Sequence, residues 1–118
     1  MSTLQCARVT AAALLSWLIM AAAQGEPTAG EKLFNIKCRD CHALDKRRVG
    51  PALAGATERR SREWLEHWLE DPVAMVKGDP VAGQLMAQYK TQMPKLGLKT
   101  AEIALLIDWL ATHPAPPP

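Results

Sequence analysis

The stretch Cys38-Arg39-Asp40-Cys41-His42 decides the fold of this chain. Its two cysteines stand three positions apart, and a histidine follows the second one directly. This spacing is the attachment pattern of a c-type haem. Each thiol can add to one of the two vinyl groups on the same edge of a porphyrin, because a helical turn brings both sulfur atoms to one side of the chain. The sequence therefore predicts one haem c, bound covalently through Cys38 and Cys41, with His42 as the first ligand of its iron.

Two other uses of the motif, besides an accidental match, compete with haem attachment. A structural zinc site needs four ligands, and the remaining histidines lack the spacing that completes one. A redox dithiol needs free thiols beside a βαβ unit, and no alternating strand pattern occurs along the chain. The surrounding sequence favours haem over both.

Residues 1–23 have the features of a secretory signal peptide. Arg8 provides a weakly basic start, and the stretch from Val9 to Ala23 carries no charge and ends in three small alanines. These features predict export to the periplasm, with cleavage after Ala23. The alternative is an uncleaved membrane anchor facing the periplasm, since the uncharged stretch extends to Gly25 and is marginal for a span of about 20 residues.

The chain beyond the signal peptide has the length of one small domain. About 95 of the 118 residues remain, and a core of this size benefits from a staple. Cys6 leaves with the signal peptide, so the two motif cysteines are the only ones that remain. A buried porphyrin can then stabilise the small core in place of disulfides. Removing Arg8 leaves 14 − 1 = 13 basic against 12 acidic residues, which does not indicate nucleic-acid binding. We predict a haem domain over residues 24–113 and a disordered, proline-rich tail over residues 114–118.

Helix signals recur along this domain. Thr28 and Glu31 form a capping box ahead of a helix that runs into the haem motif, and Gly30 within that helix indicates close approach by another helix. The other predicted segments are a helix capped by Ser61 and running to about Glu70, a short turn ending at Gly78, a helix from Pro80 to about Lys90, and a last helix over 101–111 capped by Thr100. We predict an all-α domain of about four to five helices around one haem.

Pro51 is the predicted partner of the His42 ring. A haem-binding histidine usually donates its second ring N–H to a carbonyl, which fixes the ring orientation and raises the basicity of the ligand. Pro51 follows the motif closely, and its rigid ring holds a backbone carbonyl in place. The alternative is an ordinary turn proline.

Met93 is the predicted second ligand of the iron. The candidates outside the motif are Met75, Met86, Met93, His67 and His113. Met75 and Met86 fall in helical segments, where methionine commonly fills a core. His67 points away from the buried face of its helix, and His113 adjoins the proline tail. Met93 alone lies in a loop, stiffened by Pro94, and a thioether opposite an imidazole raises the reduction potential. Met86 remains its main rival.

Trp64 and Trp68 lie on the buried face of the helix that follows Ser61. Such tryptophans are usually core residues, and one of them can also donate its indole N–H to a haem propionate. Arg59 or Arg60 is a candidate to pair with the same carboxylate. We therefore count Arg59, Trp64 and Trp68 among the candidate haem-binding residues.

From residue 28 to residue 111 the chain resembles the class I c-type cytochromes, and among them the small bacterial monohaem members. The matching features, in order, are Gly30 and Phe34 before the haem motif, a Gly-Pro-x-Leu at 50–53, a Met-Pro at 93–94, and Leu106 with Trp109 in the last helix. The resemblance implies that the first and last helices cross at Gly30, that Leu53 belongs to the haem pocket, and that Met93 ligates the iron. Residues 70–92, rich in Asp-Pro, depart from the familiar subgroups and leave the redox partner open.

The predicted site suits one-electron transfer rather than catalysis. An iron with both axial positions filled leaves no place for a substrate, and no acid–base pair accompanies it. We expect a periplasmic electron carrier, not an enzyme, that takes no small-molecule substrate. It would contact a membrane only if residues 1–23 are retained. The alternatives are a fixed haem subunit of a larger oxidoreductase of nitrogen-oxide or sulfur-compound metabolism, and a gas-binding or peroxidase-like haem.

Redox proteins that dock at an exposed haem edge are the expected partners. Basic residues flank the haem motif and the Met93 loop, and if they gather at one edge they steer acidic partners. If they do not, they serve solubility alone. These residues are Lys37, Arg39, Lys46, Arg47, Arg48, Lys90, Lys95 and Lys99.

Overall fold

The computed structural model of the chain describes residues 25–118. The predicted signal peptide over residues 1–23 lies outside this part. Six helices and no strand occur in residues 25–118, which confirms the all-α prediction there. The helices are α1 (Ala29–Lys37), α2 (Ala56–Arg59), α3 (Arg62–Glu70), α4 (Pro72–Gly78), α5 (Pro80–Tyr89) and α6 (Thr100–Ala111). In the described part of the chain, none of them is long and apolar enough to cross a membrane.

Helix α1 starts where the sequence predicts and leads directly into the haem motif. The Thr28 hydroxyl accepts a hydrogen bond from the Glu31 N–H at 3.2 Å, which satisfies one of the unpaired donors of the first turn. Gly30 and Phe34, four residues apart, are both buried on the face that meets α6. The helix ends at Lys37, and Cys38 is its C-cap. The haem motif is therefore attached rigidly to the end of a packed helix.

The first and last helices cross at Gly30, as predicted. A Cβ atom added at Gly30 would lie only 2.5 Å from the Leu105 carbonyl oxygen and would also overlap Trp109. Beside this crossing, the rings of Phe34 and Trp109 are tilted against each other with centroids 4.9 Å apart. A glycine is therefore required by the close approach of the two backbones.

Helix α6 forms the centre of the hydrophobic core. Leu106 is 1% exposed and Ile107 is 2% exposed, and they pack with Leu65 and Leu69 of α3. On the surface, Arg62 of α3 donates to Asp108 of α6 at 2.7 Å. Because both of these side chains are at least half exposed, the ion pair adds little to stability, and apolar burial holds α3 on α6.

Three local details differ from the predictions. The short turn predicted to end at Gly78 is the complete helix α4, because Asp71 caps it by accepting from the Ala74 N–H at 3.0 Å and Pro72 occupies its first position. The one-turn helix α2 was not predicted, which raises the helix number from four or five to six in the described residues. Thr100 is the first residue of α6 rather than its cap: Lys99 is the cap, and its N–H donates to the Glu102 carboxylate at 2.8 Å.

The C-terminal tail, predicted to be disordered over residues 114–118, makes a specific contact. Its residues are exposed and lie outside any helix. The Ala115 N–H nevertheless donates to Glu58 Oε2 at 3.2 Å. The tail is thus held against α2 at Ala115, because Glu58 of α2 offers it a carboxylate and Gly55, just before the helix, presents a surface without a side chain.

The Gly30 crossing can be tested by substitution. We expect Gly30→Ala to lower the free energy of unfolding by about 1–3 kcal/mol, because the added methyl group forces α1 and α6 apart. Gly78→Ala is the matched control, since nothing lies within 4 Å of a Cβ at that position, and we expect it to stay within about 0.5 kcal/mol of the wild type. Denaturant unfolding of the holoprotein measures both. Equal stability of the two variants would contradict the crossing.

Candidate haem site

A cavity of about 560 Å³ lies between the haem motif and helices α3 and α5. This volume is within the usual range for cofactor sites. Its walls come mainly from the motif, the Pro51 loop (residues 50–54), α3, and the segment from α5 to Pro94, and single residues of α4 and α6 also reach it. Most of the lining side chains are apolar, and the charged ones are Arg47, Arg59 and Arg60. Such a cavity suits a flat, mainly apolar group with an anionic edge.

The haem motif continues from α1 as a tight turn. The Cys41 N–H donates to the Cys38 carbonyl at 3.1 Å, and the His42 N–H donates to the same carbonyl at 2.9 Å. This turn places all three side chains on the cavity. Cys38 is buried and Cys41 is exposed. The two thiols therefore mark an inner and an outer point on one edge of the cavity.

The electrostatics of Cys38 do not suit a redox dithiol. Burial, with a smaller effect of the neighbouring Cys41, raises the pKa of Cys38 to about 11. The thiol stays protonated at neutral pH, whereas a reactive dithiol needs a thiolate. The environment of Cys38 thus fits a buried attachment point better than an exchanging thiol.

The hydrogen bond predicted between His42 and Pro51 is present in the structure. His42 Nδ1 lies 2.9 Å from the Pro51 carbonyl oxygen. Since a carbonyl can only accept, Nδ1 carries the proton, and Nε2 keeps its lone pair. Burial lowers the pKa of His42, and the bond to Pro51 only partly opposes this shift. The ring is therefore neutral at pH 7 and available as a metal ligand through Nε2.

Gly50 has a role that the sequence analysis did not assign. A Cβ at this position would lie 2.9 Å from His42 Nδ1 and 3.0 Å from Nε2. The glycine therefore lets the backbone lie flat against the imidazole ring. The Gly-Pro pair was the available signal, since a glycine beside a functional proline often marks close backbone approach.

The Pro51 loop is tied to the haem motif by backbone hydrogen bonds. The Gly50 N–H donates to the Cys41 carbonyl at 2.9 Å, and the Leu53 N–H donates to the Ala43 carbonyl at 2.9 Å. Leu53 lies on the cavity wall and packs against the core. Leu53 therefore lines the cavity, as the resemblance implies. The loop and the motif form one continuous wall around His42.

For the second iron ligand, the structure reduces the candidates from five to two. Met93 and Met86 both line the cavity and are partly buried. Met75 and His67 line a separate, shallow depression. The His113 ring lies against Trp109, with centroids 4.3 Å apart, and Nδ1 is 3.0 Å from the Trp109 carbonyl. Only the two methionines share a cavity with His42.

Trp64 is not free to bind a propionate as the sequence analysis suggested. Its indole N–H donates to Asp79 Oδ1 at 3.2 Å. Its ring stacks on Trp68, with centroids 5.4 Å apart and an angle of 14° between the planes. Both tryptophans line the cavity, where their rings form an apolar wall, and the propionate contact stays a prediction for Trp68. The sequence could not show the bond from Trp64 because Asp79 is fifteen residues further along the chain.

Arg59 also has partners other than the predicted propionate. Its guanidinium donates to the Ala54 carbonyl at 2.8 Å and to the Ala52 carbonyl at 3.0 Å. Arg60 donates to the Arg59 carbonyl at 2.9 Å and lies over the Trp64 ring. Arg59 is thus part of the wall that carries Pro51, although it also reaches the cavity.

Asp79, which was not singled out from the sequence as a site residue, connects two walls of the cavity. It caps α5 by accepting from the Ala82 N–H at 2.8 Å, and the same oxygen accepts from Trp64. The backbone hydrogen bond from Ala82, with a smaller contribution from Trp64, lowers the pKa of Asp79. The carboxylate therefore joins α5, which carries Met86, to the tryptophan wall of α3.

The donor set and the cavity fit haem c. Two thiols, a neutral imidazole with a free Nε2, and the thioether side chains of two methionines all line the same cavity. Haem c is bound by this combination of thioether bonds and axial ligands. Fold and site together define a small, all-helical protein that holds one covalently attached haem.

The chain belongs to the cytochrome c family, since the family model for cytochrome c matches residues 27–114. Among solved structures, a cytochrome c from Rhodothermus marinus is 34% identical, with a TM-score of 0.70 over 72% of this chain and 73% of that one. An engineered form of that protein, bound to a carbene intermediate, is 33% identical, with a TM-score of 0.66 over 72% and 73%. A cytochrome c of Ginkgo biloba is 45% identical over 40 residues, which are 31% of this chain and 35% of the Ginkgo protein.

Family membership establishes the cofactor and the general activity. The chain binds haem c, with Cys38 and Cys41 as the attachment residues of its Cys-x-x-Cys-His motif. Proteins of this family transfer electrons through the haem. The resemblance predicted a small monohaem class I cytochrome, and the similarity to the Rhodothermus marinus structure confirms this prediction.

The contact between Gly50 and the imidazole can be tested directly. We expect Gly50→Ala to push the His42 ring away from the Pro51 carbonyl and to lower the melting temperature of the holoprotein, by the equivalent of about 1–3 kcal/mol. Gly97→Ala is not a suitable control because Gly97 has a positive φ of 67°, so Gly78→Ala serves again. Thermal unfolding and the haem absorption spectrum measure the effect. A wild-type spectrum together with wild-type stability would contradict the contact.

Proposed function

We propose that the protein is a periplasmic carrier of single electrons whose haem iron is held between His42 and Met93. The observation that carries this proposal is the shared cavity. His42, with Nδ1 bound to Pro51, forms one wall, and Met93 lies on the same cavity. An imidazole and a thioether on one iron are the ligand pair of high-potential electron carriers.

Bound haem supplies an iron that alternates between the ferrous and ferric states. The residues of the chain keep the surroundings of that iron the same in both states. His42 is held by its bond to Pro51, and Leu53 and Trp68 exclude water from the cavity wall. Little reorganisation then accompanies the transfer of an electron. A thioether ligand favours the ferrous state and so raises the reduction potential.

Met93 is preferred to Met86 because of where each lies along the chain. Met86 is inside α5, whose backbone is fixed by its own hydrogen bonds and by the Asp79 cap. Met93 lies in the loop before α6, where the backbone can place a sulfur atom over the centre of a porphyrin. The Gln92 side chain donates to the Met93 carbonyl at 2.9 Å, and Pro94 stiffens the following position. The loop is thus shaped without being part of a helix.

A catalytic role is not supported by the cavity lining. No aspartate or glutamate occurs among the described residues that line it. A peroxidase-like or hydrolytic reaction requires a positioned acid–base pair beside the reacting atoms. The proposed role is therefore transfer of an electron through the haem edge, with no substrate bound at the iron.

The proposed partners are redox proteins with an acidic surface. The charged residues that line the cavity are three arginines, and Arg47 lies over the Tyr89 ring at 4.5 Å from its centroid. Arg47 is exposed, so its charge acts on approaching molecules. Positive charge beside an electron-transfer edge steers negatively charged partners into a transient complex. Lys95 contributes less, because it pairs with Asp71 at 3.2 Å.

The proposed location is the periplasm. It rests on the apolar, uncharged run within residues 1–23 and on the three alanines at its end.

The ligand assignment is tested by paired methionine variants. We expect Met93→Ala to lose the sulfur-to-iron absorption band and to lower the reduction potential, because the thioether no longer stabilises ferrous iron. Met86→Ala is the control, since it removes a sulfur from the same cavity, and we expect it to keep the wild-type spectrum. Optical and electron paramagnetic resonance spectra of the two holoproteins measure this. The reverse pattern would assign the ligand to Met86.

The charge at the cavity rim is tested with hexacyanoferrate(II) as a small anionic reductant. We expect Arg47→Gln to slow reduction of the ferric protein at low salt and to flatten its dependence on ionic strength, because one steering charge is lost. Lys77→Gln removes an exposed charge outside the cavity lining and should leave the rate nearly unchanged. Stopped-flow kinetics at several salt concentrations measure both. Equal effects of the two variants would remove the argument for docking at this rim.

A further inference from the structure

Arg59 and the C-terminal segment 113–115 meet on the outer side of the Pro51 loop. Arg59 donates to the carbonyls of Ala52 and Ala54, the residues on either side of Leu53. A guanidinium fork that spans two carbonyls restricts the backbone between them, because both bonds share one rigid plane. Arg59 therefore holds the segment that directly follows Pro51.

The C-terminal segment adds two hydrogen bonds at the same place. The Gly55 N–H donates to the His113 carbonyl at 2.8 Å. The Ala115 N–H donates to Glu58 Oε2 at 3.2 Å. Gly55 has a φ of 78°, and a Cβ there would lie 2.7 Å from the Ala115 Cβ and 3.0 Å from an Arg59 nitrogen. The tail, Gly55 and Arg59 are thus packed directly against one another.

The inner side of the loop is bound instead to the two residues that directly follow the haem motif. The Leu53 N–H donates to the Ala43 carbonyl, and the Ala54 N–H donates to the Leu44 carbonyl at 3.0 Å. With N–H groups bound on the inner side and carbonyls bound by Arg59, the backbone over residues 52–54 has little freedom. The adjoining Pro51 carbonyl is the group that His42 depends on.

We propose that Arg59 and residues 113–115 form one brace, whose function is to position the Pro51 carbonyl against His42 Nδ1 and so to tune the electron donation of the imidazole to iron. These are positioning residues, since none of the bonds described joins them to His42 itself. The inference rests on the proposed ligation of the haem iron by His42. It assigns a function to the C-terminal tail, and it gives Arg59 a role different from the charge pairing with a propionate.

The two roles of Arg59 predict opposite changes in reduction potential. If the brace is loosened, the bond from Nδ1–H to the carbonyl weakens, the imidazole becomes a poorer donor, and the ferric state loses stabilisation, so the potential rises. If Arg59 acts as a positive charge beside the haem, its loss favours the ferric state, and the potential falls. Lysine keeps the charge but cannot span two carbonyls in a fixed plane. Arg59→Lys therefore separates the two roles.

The tail is tested without any change of charge. Ala115→Pro removes the N–H that binds Glu58 and keeps a neutral side chain. Ala115→Ser keeps the N–H and is the matched control. Because Ala115 is exposed and outside the core, both variants should fold even if a variant of Arg59 does not.

The measurement is the exchange rate of the His42 ring N–H in the ferrous holoprotein by nuclear magnetic resonance, together with the reduction potential. We expect Arg59→Lys and Ala115→Pro each to raise the exchange rate by about threefold to tenfold, the effect of losing one ordinary hydrogen bond. Each should also raise the potential, whereas Ala115→Ser should match the wild type. A wild-type exchange rate of the ring N–H in Arg59→Lys would overturn the proposal in favour of charge pairing. A reduction potential that falls in Arg59→Gln but is unchanged in Arg59→Lys would do the same. Wild-type behaviour of Ala115→Pro would overturn the part played by the tail.

Failure of the proposed function has a different signature. In that case the wild-type holoprotein itself would show no protected ring N–H on His42 and no low-spin iron with imidazole bound, which would overturn the brace as well. A wild type with both properties, combined with variants that do not alter them, would overturn the brace alone.

Discussion

The hydrogen bond from His42 Nδ1–H to the Pro51 carbonyl is the interaction on which the site depends. It fixes the tautomer of the imidazole, leaves Nε2 with a free lone pair, and offsets part of the effect of burial, which lowers the pKa of His42. The surrounding structure serves this bond. Gly50 allows the backbone to approach the ring, and backbone bonds between the motif and the Pro51 loop keep the carbonyl in place. An imidazole held in this way has one fixed orientation toward the cavity.

The crossing of α1 and α6 places the haem motif where that bond can form. Because Cys38 is the C-cap of α1, the position of the motif is set by the packing of α1, and that packing requires Gly30 beneath Trp109. The core residues of α6 then serve two purposes. Ile107 and Leu106 bury the helix crossing, while Leu110 reaches the cavity wall. Stability of the fold and shape of the site thus arise from one set of apolar contacts.

The segment over residues 70–92, in which the sequence departs from familiar subgroups, contributes part of the cavity wall. Asp71 and Asp79 each cap a helix that begins with proline, so the chain turns sharply twice and folds α4 against α5. Asp79 additionally binds Trp64, which connects this wall to α3. Side chains from this segment, among them Met86 and Tyr89, line the cavity. The unusual sequence therefore forms part of the wall of the haem site.

The sequence alone determined the features that depend on neighbours along the chain. These are the haem motif, the helix caps at Thr28 and Ser61, the all-α class, and the pairing of His42 with a nearby proline carbonyl, because turn geometry and helical period act over a few residues. Tertiary structure decided the rest. The partners of Trp64 and Arg59, the choice of Met93 and Met86 over three other ligands, and the anchoring of the tail at Glu58 all join residues from different elements. Such polar groups bind whichever donor or acceptor packing brings within about 3 Å, and sequence spacing carries no record of that distance.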